Sequence, residues 1–367
     1  QQSKRHLRLA GTNTITADNV YVGHNTLPSG QTSNMQGYGY LYLGEGNTIQ
    51  AARFDVGSFS ASGSVAFNSG LATPSVTIRG KSGGTTRANM DIGTLFYGGS
   101  AAGGSGASGI VDLTGGTVNA LLGTVRIGAN DYWGGGAPTT GTFSFNAGTA
   151  DATSILLGQG SNGVGTGTIN VGTGGALTAG TITMANLSWY YNGTGIINLN
   201  GGTLAATTIQ MGNRVYPDRK VQKLTATLNF NSGTIANKTG GNLTITGWVD
   251  AVPANPRTDL VTFNLAGATA THTFQAEVGR SIIINTAMSG DGGFEKTGDG
   301  ILDLRAGNSY TGNTTVSAGT LKLTNASSSN PIASSPTVTV TSPAVLDVSG
   351  LSGGTLTLVD RKSTRLN

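Results

Sequence analysis

Apolar and polar residues alternate along this chain in runs of three to five, and glycine ends most runs. Ile110-Val111-Asp112-Leu113 is followed by Thr114-Gly115-Gly116-Thr117-Val118 and then by Val125-Arg126-Ile127-Gly128. The same order returns in Phe143-Ser144-Phe145 with Ile155-Leu156-Leu157-Gly158, and in Ile197-Asn198-Leu199 with Ile209-Gln210-Met211-Gly212. A period of two predicts strands with one buried face. Thr, Val and Ile fill these runs, and their branched Cβ suits a pleated surface. No amphipathic helix of ten residues is legible. Gly116, Gly148, Gly175, Gly202 and Gly233 follow one another at 32, 27, 27 and 31 residues. One unit of about 30 residues therefore repeats, with insertions of varying length.

Two architectures compete for such a unit. A parallel β-helix lays each coil on the one below, with a narrow core of modest side chains and polar residues outside. A string of antiparallel sandwiches needs several large aromatics per core. Aromatics are only 6% of this chain and scattered, which favours the β-helix. The prediction is roughly a dozen coils at the ladder spacing. Val111, Leu113, Val125, Ile127, Ile197, Leu199, Ile209, Met211, Leu302 and Leu304 should point inward. The charged residues at 1–8 are expected to cover the first coil. The stretch 258–280 breaks the rhythm, and 248–259, with Pro253 and Pro256, reads as a loop.

Composition narrows the function. Charged residues are 10% and cysteine is absent, which excludes disulfide frameworks and thiolate chemistry. No stretch is apolar for the length of a membrane helix. The net charge of +4 misleads. Six of the 21 basic residues lie in 1–8 and 361–367, so the body carries 15 against 17 acids. No basic stripe for nucleic acid runs along that body.

Near the C-terminus the chain reads Lys296-Thr297-Gly298-Asp299-Gly300-Ile301-Leu302-Asp303-Leu304. It continues with Gly307-Asn308-Ser309-Tyr310-Thr311-Gly312-Asn313-Thr314-Thr315-Val316 and Gly319-Thr320-Leu321-Lys322-Leu323. This segment resembles the autotransporter-associated β-strand repeat of bacterial surface and secreted passenger proteins. The resemblance implies an all-β, right-handed parallel β-helix (a β-solenoid) with loop insertions, extracellular or on the bacterial cell surface. It also implies a stalk or adhesive role. Residues 1–250 then form a solenoid of irregular coils, 251–292 a loop with distorted coils, and 293–360 the continuation with the passenger-type repeat. The abrupt run 361–367 reads as a non-native tail.

Candidate chemistry is sparse. His6, His24 and His272 have no metal or triad spacing and read as surface-loop residues. Asp91, Asp112, Asp131, Asp151 and Asp250 are the carboxylates to test for glycoside chemistry, which needs two converging on one groove; Asp131 and Asp151 are the pair expected to approach. Three acids lining a groove would indicate an enzyme, whereas Thr, Asn and Ser ladders would indicate a stalk. Tyr132, Trp133, Trp189, Tyr190, Arg214, Arg219 and Lys220, in Gly-rich or basic insertions, are candidate contact residues. The alternating Tyr38, Tyr40 and Tyr42 should line one strand face. No cofactor or metal is expected. The expectation is a non-enzymatic structural or adhesive protein whose partner is itself, head to tail, with surface glycans second. A polysaccharide-active or carbohydrate-binding β-helix is the alternative.

Overall fold

A computed structural model describes residues 4–25, 37–95, 106–131, 137–161, 163–187, 191–214, 223–248, 259–325 and 330–356. Every strand pairing among them is parallel, and the only helical element is a single 3-10 turn at Ser352–Gly354. The strands wind into twelve coils. They run over 4–24, 38–58, 62–94, 107–127, 139–157, 165–187, 193–214, 224–247, 260–284, 288–304, 314–325 and 338–351. A full coil has three faces. In coil 4, Ala107–Leu113 forms face A. Thr117–Ile127 then bends, so that 117–120 ladders with 75–78 (face B) and 122–127 with 88–92 (face C).

The alternation seen in the sequence becomes columns. Val111, Phe143, Ile169, Ile197, Leu228 and Phe263 stack inward on face A, each in register with the next. Val125, Ile155, Ile182, Ile209 and Ile245 do the same on face C. All ten residues expected inside are buried. Burying a side chain of this size contributes about 1.5–3 kcal/mol, and each coil shares that gain with both neighbours.

Glycine decides one corner. Gly57, Gly93, Gly128 and Gly158 follow face C at equivalent positions with φ between +61° and +70°. A Cβ on any of them would overlap a carbonyl oxygen of face A, that of Thr166 in the case of Gly128. In coil 6 the equivalent residue is Ala185, held at φ +50°. That conformation costs an L residue roughly 1–2 kcal/mol.

Two expectations change. Residues 4–8 do not cover the first coil; Lys4–Arg8 is its first strand, paired with Tyr38–Tyr42. The stretch expected to distort the solenoid forms coil 9, with strands at Leu260–Leu265, His272–Gln275 and Ser281–Ile284 in continuous register. Its rhythm is hidden because tight turns at 267–270 and 277–280 shorten the strands. The aromatics that looked scattered meet here inside the core. Phe274 packs edge-on against Phe230, Phe263 and Phe294, and Phe294 against Tyr310, at centroid distances of 5.3–6.3 Å. Pro253 and Pro256 lie outside the described residues.

Candidate functional site: the outward faces

The outward positions of face A form three columns over coils 5–8. Thr140, Thr166, Thr194 and Thr225 stack in the first; Thr142, Thr168, Ile196 and Thr227 in the second; Ser144, Asn170, Asn198 and Asn229 in the third. The third is bonded along its length. Asn229 Nδ2 donates to Asn198 Oδ1 at 2.8 Å, Asn198 Nδ2 to Asn170 Oδ1 at 2.8 Å, and Asn170 Nδ2 to Ser144 Oγ at 2.9 Å. Asn231 donates likewise to Asn200, and Asn213 to Asn186, at 2.7 Å. Each amide satisfies its neighbour one coil away, so the surface repeats the ladder's own period in uncharged polar groups.

The carboxylates do not converge on an open groove among the described residues. Asp131 and Asp151 are not brought together. They are 20 residues apart, whereas a coil here takes nearer 30, so they fall on different corners. Asp131 accepts from Ser161 Oγ at 2.7 Å and from Gln159. Asp151 accepts from Lys238 Nζ at 2.9 Å and from Arg87. Its burial acts upward on the pKa, but these two cations hold the carboxyl below its usual range. Asp112 turns back onto its own strand end, accepting from the backbone N and hydroxyl of Thr114. Asp250 lies outside the described residues.

One acid pair does form, and the sequence reading found only half of it. Tyr21, Asp55, Asp91 and Arg126 stack in register outside face C of coils 1–4. Arg53 bridges Asp55 Oδ1 and Asp91 Oδ2, each at 2.7 Å, and Arg126 Nε meets Asp91 Oδ1 at 2.6 Å. Burial, and then the charge of Asp91, raise the Asp55 carboxyl to about 7 despite Arg53. Its Oδ2 has no hydrogen-bond partner among the described residues. His24 beside it is lowered to about 4 by burial and by Arg53, and its Nδ1 lies 2.6 Å from Ser58 Oγ. A raised carboxyl next to an ionised one is what general acid catalysis uses. Yet Asp55 and Asp91 are 0% and 1% exposed, so no substrate atom reaches them in this conformation. The cluster is a buried brace across three coils.

Of the candidate contact residues only Arg214 is described, and it is not an exposed contact. Its side chain is buried in a bidentate ion pair with Asp259, whose Oδ1 also accepts from Leu224 N at 2.9 Å. Tyr132, Trp133, Trp189, Tyr190, Arg219 and Lys220 lie outside the described residues. The histidines are not surface-loop residues either. His6 is on an exposed strand, and His24 is half-buried at a strand end. His272 is core, with its ring nitrogens 2.8 and 3.1 Å from the carbonyl oxygens of Gly293 and Ala266. No group of three or more His, Asp or Glu that could hold a metal occurs among the described residues.

The tyrosines at 38, 40 and 42 do share an outward face, and the structure adds what the sequence did not show. Lys4, His6 and Arg8 of coil 1 stand in register with them. The His6 and Tyr40 rings stack at 4.5 Å and 6°, and the Arg8 guanidinium lies 4.1 Å over the Tyr42 ring. The signal was present as two period-two patterns, Lys-x-His-x-Arg and Tyr-x-Tyr-x-Tyr. Reading 1–8 as a cap kept them apart.

Parallel coils with interlocked polar ladders make the described chain a β-solenoid. Residues 294–323 match the family model of the passenger-associated-transport-repeat. The matched segment spans coils 10 and 11, where Leu302 and Leu304 register with Leu321 and Leu323. Its corner residue Asn308 is buried and ties three coils, accepting from Met288 N and donating to Pro331 O, both at 2.8 Å. Such a repeat indicates a secreted or surface-exposed passenger. No curated protein and no solved structure matches the chain. No helix among the described residues is long and apolar enough to cross a membrane.

Proposed function

We propose that the chain is a non-enzymatic structural and adhesive protein of the bacterial exterior, a β-helical stalk or fibre subunit that associates with its own copies head to tail. The observation that carries this reading is the bonded amide column of Ser144, Asn170, Asn198 and Asn229, set beside Asp91, Asp112, Asp131 and Asp151, which are tied to a cation, an amide or a turn. Such a surface stiffens a rod and offers none of these four acids to a substrate. Coils 1 and 12 each ladder on one side only among the described residues, and leave Leu7, Val340 and Val345 exposed. A row of strand groups set for another coil favours heterologous, non-closing contacts.

Electron microscopy and sedimentation of the purified chain test this. Rods, and species well above 36.9 kDa that persist in high salt, are expected at micromolar protein, because ladder bonds and apolar burial are little screened. Compact monomers would overturn the fibre. Release of reducing or unsaturated ends from polysaccharides, lost in Asp91→Asn, would overturn the non-enzymatic reading.

A further inference from the structure

Face A of coils 1–4 is built unlike the rest of the solenoid. The His6–Tyr40 geometry fixes how the rings stand. Two rings with centroids 4.5 Å apart and planes 6° apart are face to face, since rings lying side by side would overlap at that distance. The two residues are ladder partners, so the ring normals run along the solenoid axis. Tyr40 and Tyr42, with centroids 6.4 Å apart and planes at 8°, stand side by side as one flat aromatic wall. Its far side faces coil 3, where the register partners are Ser64 and Ala66. Those side chains reach no further than Oγ and Cβ, too short to cover the outer part of a ring, and both tyrosines are part-exposed. Coil 4 raises a second wall at Ile110 and Asp112, in register with Ser64 and Ala66; Ile110 is 46% exposed. The walls are two ladder steps apart, about 9.5 Å between centres, room for one flat ring stacked on the tyrosines.

We infer that this groove is a carbohydrate site for an acidic polysaccharide, one pyranose ring stacking on Tyr40 and Tyr42 and its carboxylate drawn to the basic strand above. The charge pattern selects the acid. Lys4 and Arg8 stand on the outward face of the first strand, in register with Tyr38 and Tyr42. Each described carboxylate of coils 1–3 is engaged elsewhere: Asp18 with Lys81, Glu45 with Thr73, and Asp55 and Asp91 with Arg53. Asp112 on the far wall is turned toward Thr114. Arg8 is braced from both sides, its guanidinium over Tyr42 and Nη1 donating to Asn68 Oδ1 at 3.1 Å. These side chains project across the ladder direction, so another coil stacked on coil 1 would leave them in place. The aromatic face supplies stacking and the cations supply selection by charge.

The site rests on the stalk reading only in requiring no turnover, and binding is measured apart from assembly. Polygalacturonate and its neutral methyl ester are titrated into the full chain by calorimetry. The native chain should bind the acid at least fivefold more tightly than the ester, with affinity falling as salt rises. Tyr40→Ala with Tyr42→Ala should weaken binding of the acid at least tenfold. Lys4→Gln with Arg8→Gln should remove the preference over the ester. An unchanged melting temperature shows that each variant is folded, and Ile110→Ala, which keeps the tyrosines, is a second wall variant expected to weaken binding severalfold. No binding by the native chain, equal affinity for acid and ester, or tyrosine and Ile110 variants that bind as the native chain does would each overturn the site. Rods and filaments would be unaffected by that failure.

Discussion

Replacing Lys296 by methionine should abolish a gain in stability that the native chain shows as pH rises from 8 to 10.5. Lys296 occupies an inward position of face B, in register between Phe274 and Val316, and its residue surface is 0% exposed. Its Nζ donates to the carbonyl oxygens of Thr297, Gly298 and Ala318 at 2.8, 2.7 and 3.1 Å. Burial lowers its pKa from 10.5 to about 8, with Asp299 opposing. Below pH 8 folded and unfolded chains both carry the proton, and the folded one bears the full cost of a buried ammonium. Between 8 and 10.5 the folded chain has released the proton that the unfolded chain retains, so stability rises with pH. The lowering by about 2.5 units corresponds to about 3 kcal/mol. Urea unfolding of the native and Lys296→Met chains at pH 7.5, 9 and 10.5 measures it, because the difference cancels every other titrating group. The native chain should gain about 2–3 kcal/mol on the variant across that range. Parallel stability curves would refute the reasoning.

Further outcomes follow from the same structure. Gly128→Ala should lose ~3 kcal/mol, since its Cβ meets backbone that must move, whereas Ala185→Gly should gain ~1 kcal/mol by relieving a positive φ; both are read from urea midpoints. Asp91→Asn should cost about 3 kcal/mol, because it removes the buried carboxylate charge that Arg53 Nη2 and Arg126 Nε share. Asp55, raised to about 7, keeps in the folded chain a proton that the unfolded chain loses near its ordinary pKa. The native chain should therefore lose on the order of 2 kcal/mol relative to Asp55→Asn as pH climbs from 4 to 7. Asn198→Ala removes one donated and one accepted amide bond and should cost about 1–2 kcal/mol, with faster hydrogen exchange in coils 6–8.

What the sequence determined by itself is the local periodicity and its consequences. Strands of period two separated by glycine fix which residues point inward, and all ten interior assignments are buried because a one-residue slip would turn every apolar side chain to water. The repeat at 296–323 is legible for the same reason: its glycines and leucines are spaced by the corners and faces of a coil. What only the tertiary structure decided is which polar side chains meet. Contacts on a solenoid join residues one coil apart, and coil length here varies with insertions, from 46 residues between Val65 and Val111 to 19 between Leu302 and Leu321. Asp131 and Asp151 therefore part, Asp55 joins Asp91, and Arg214 disappears into a pair with Asp259, 45 residues on. Nothing in the sequence marks Lys296 as interior, and the register of its strand between Phe274 and Val316 turns it inward. The stack of His6 on Tyr40 has the same origin, because the two residues lie in different coils and only the ladder brings them together.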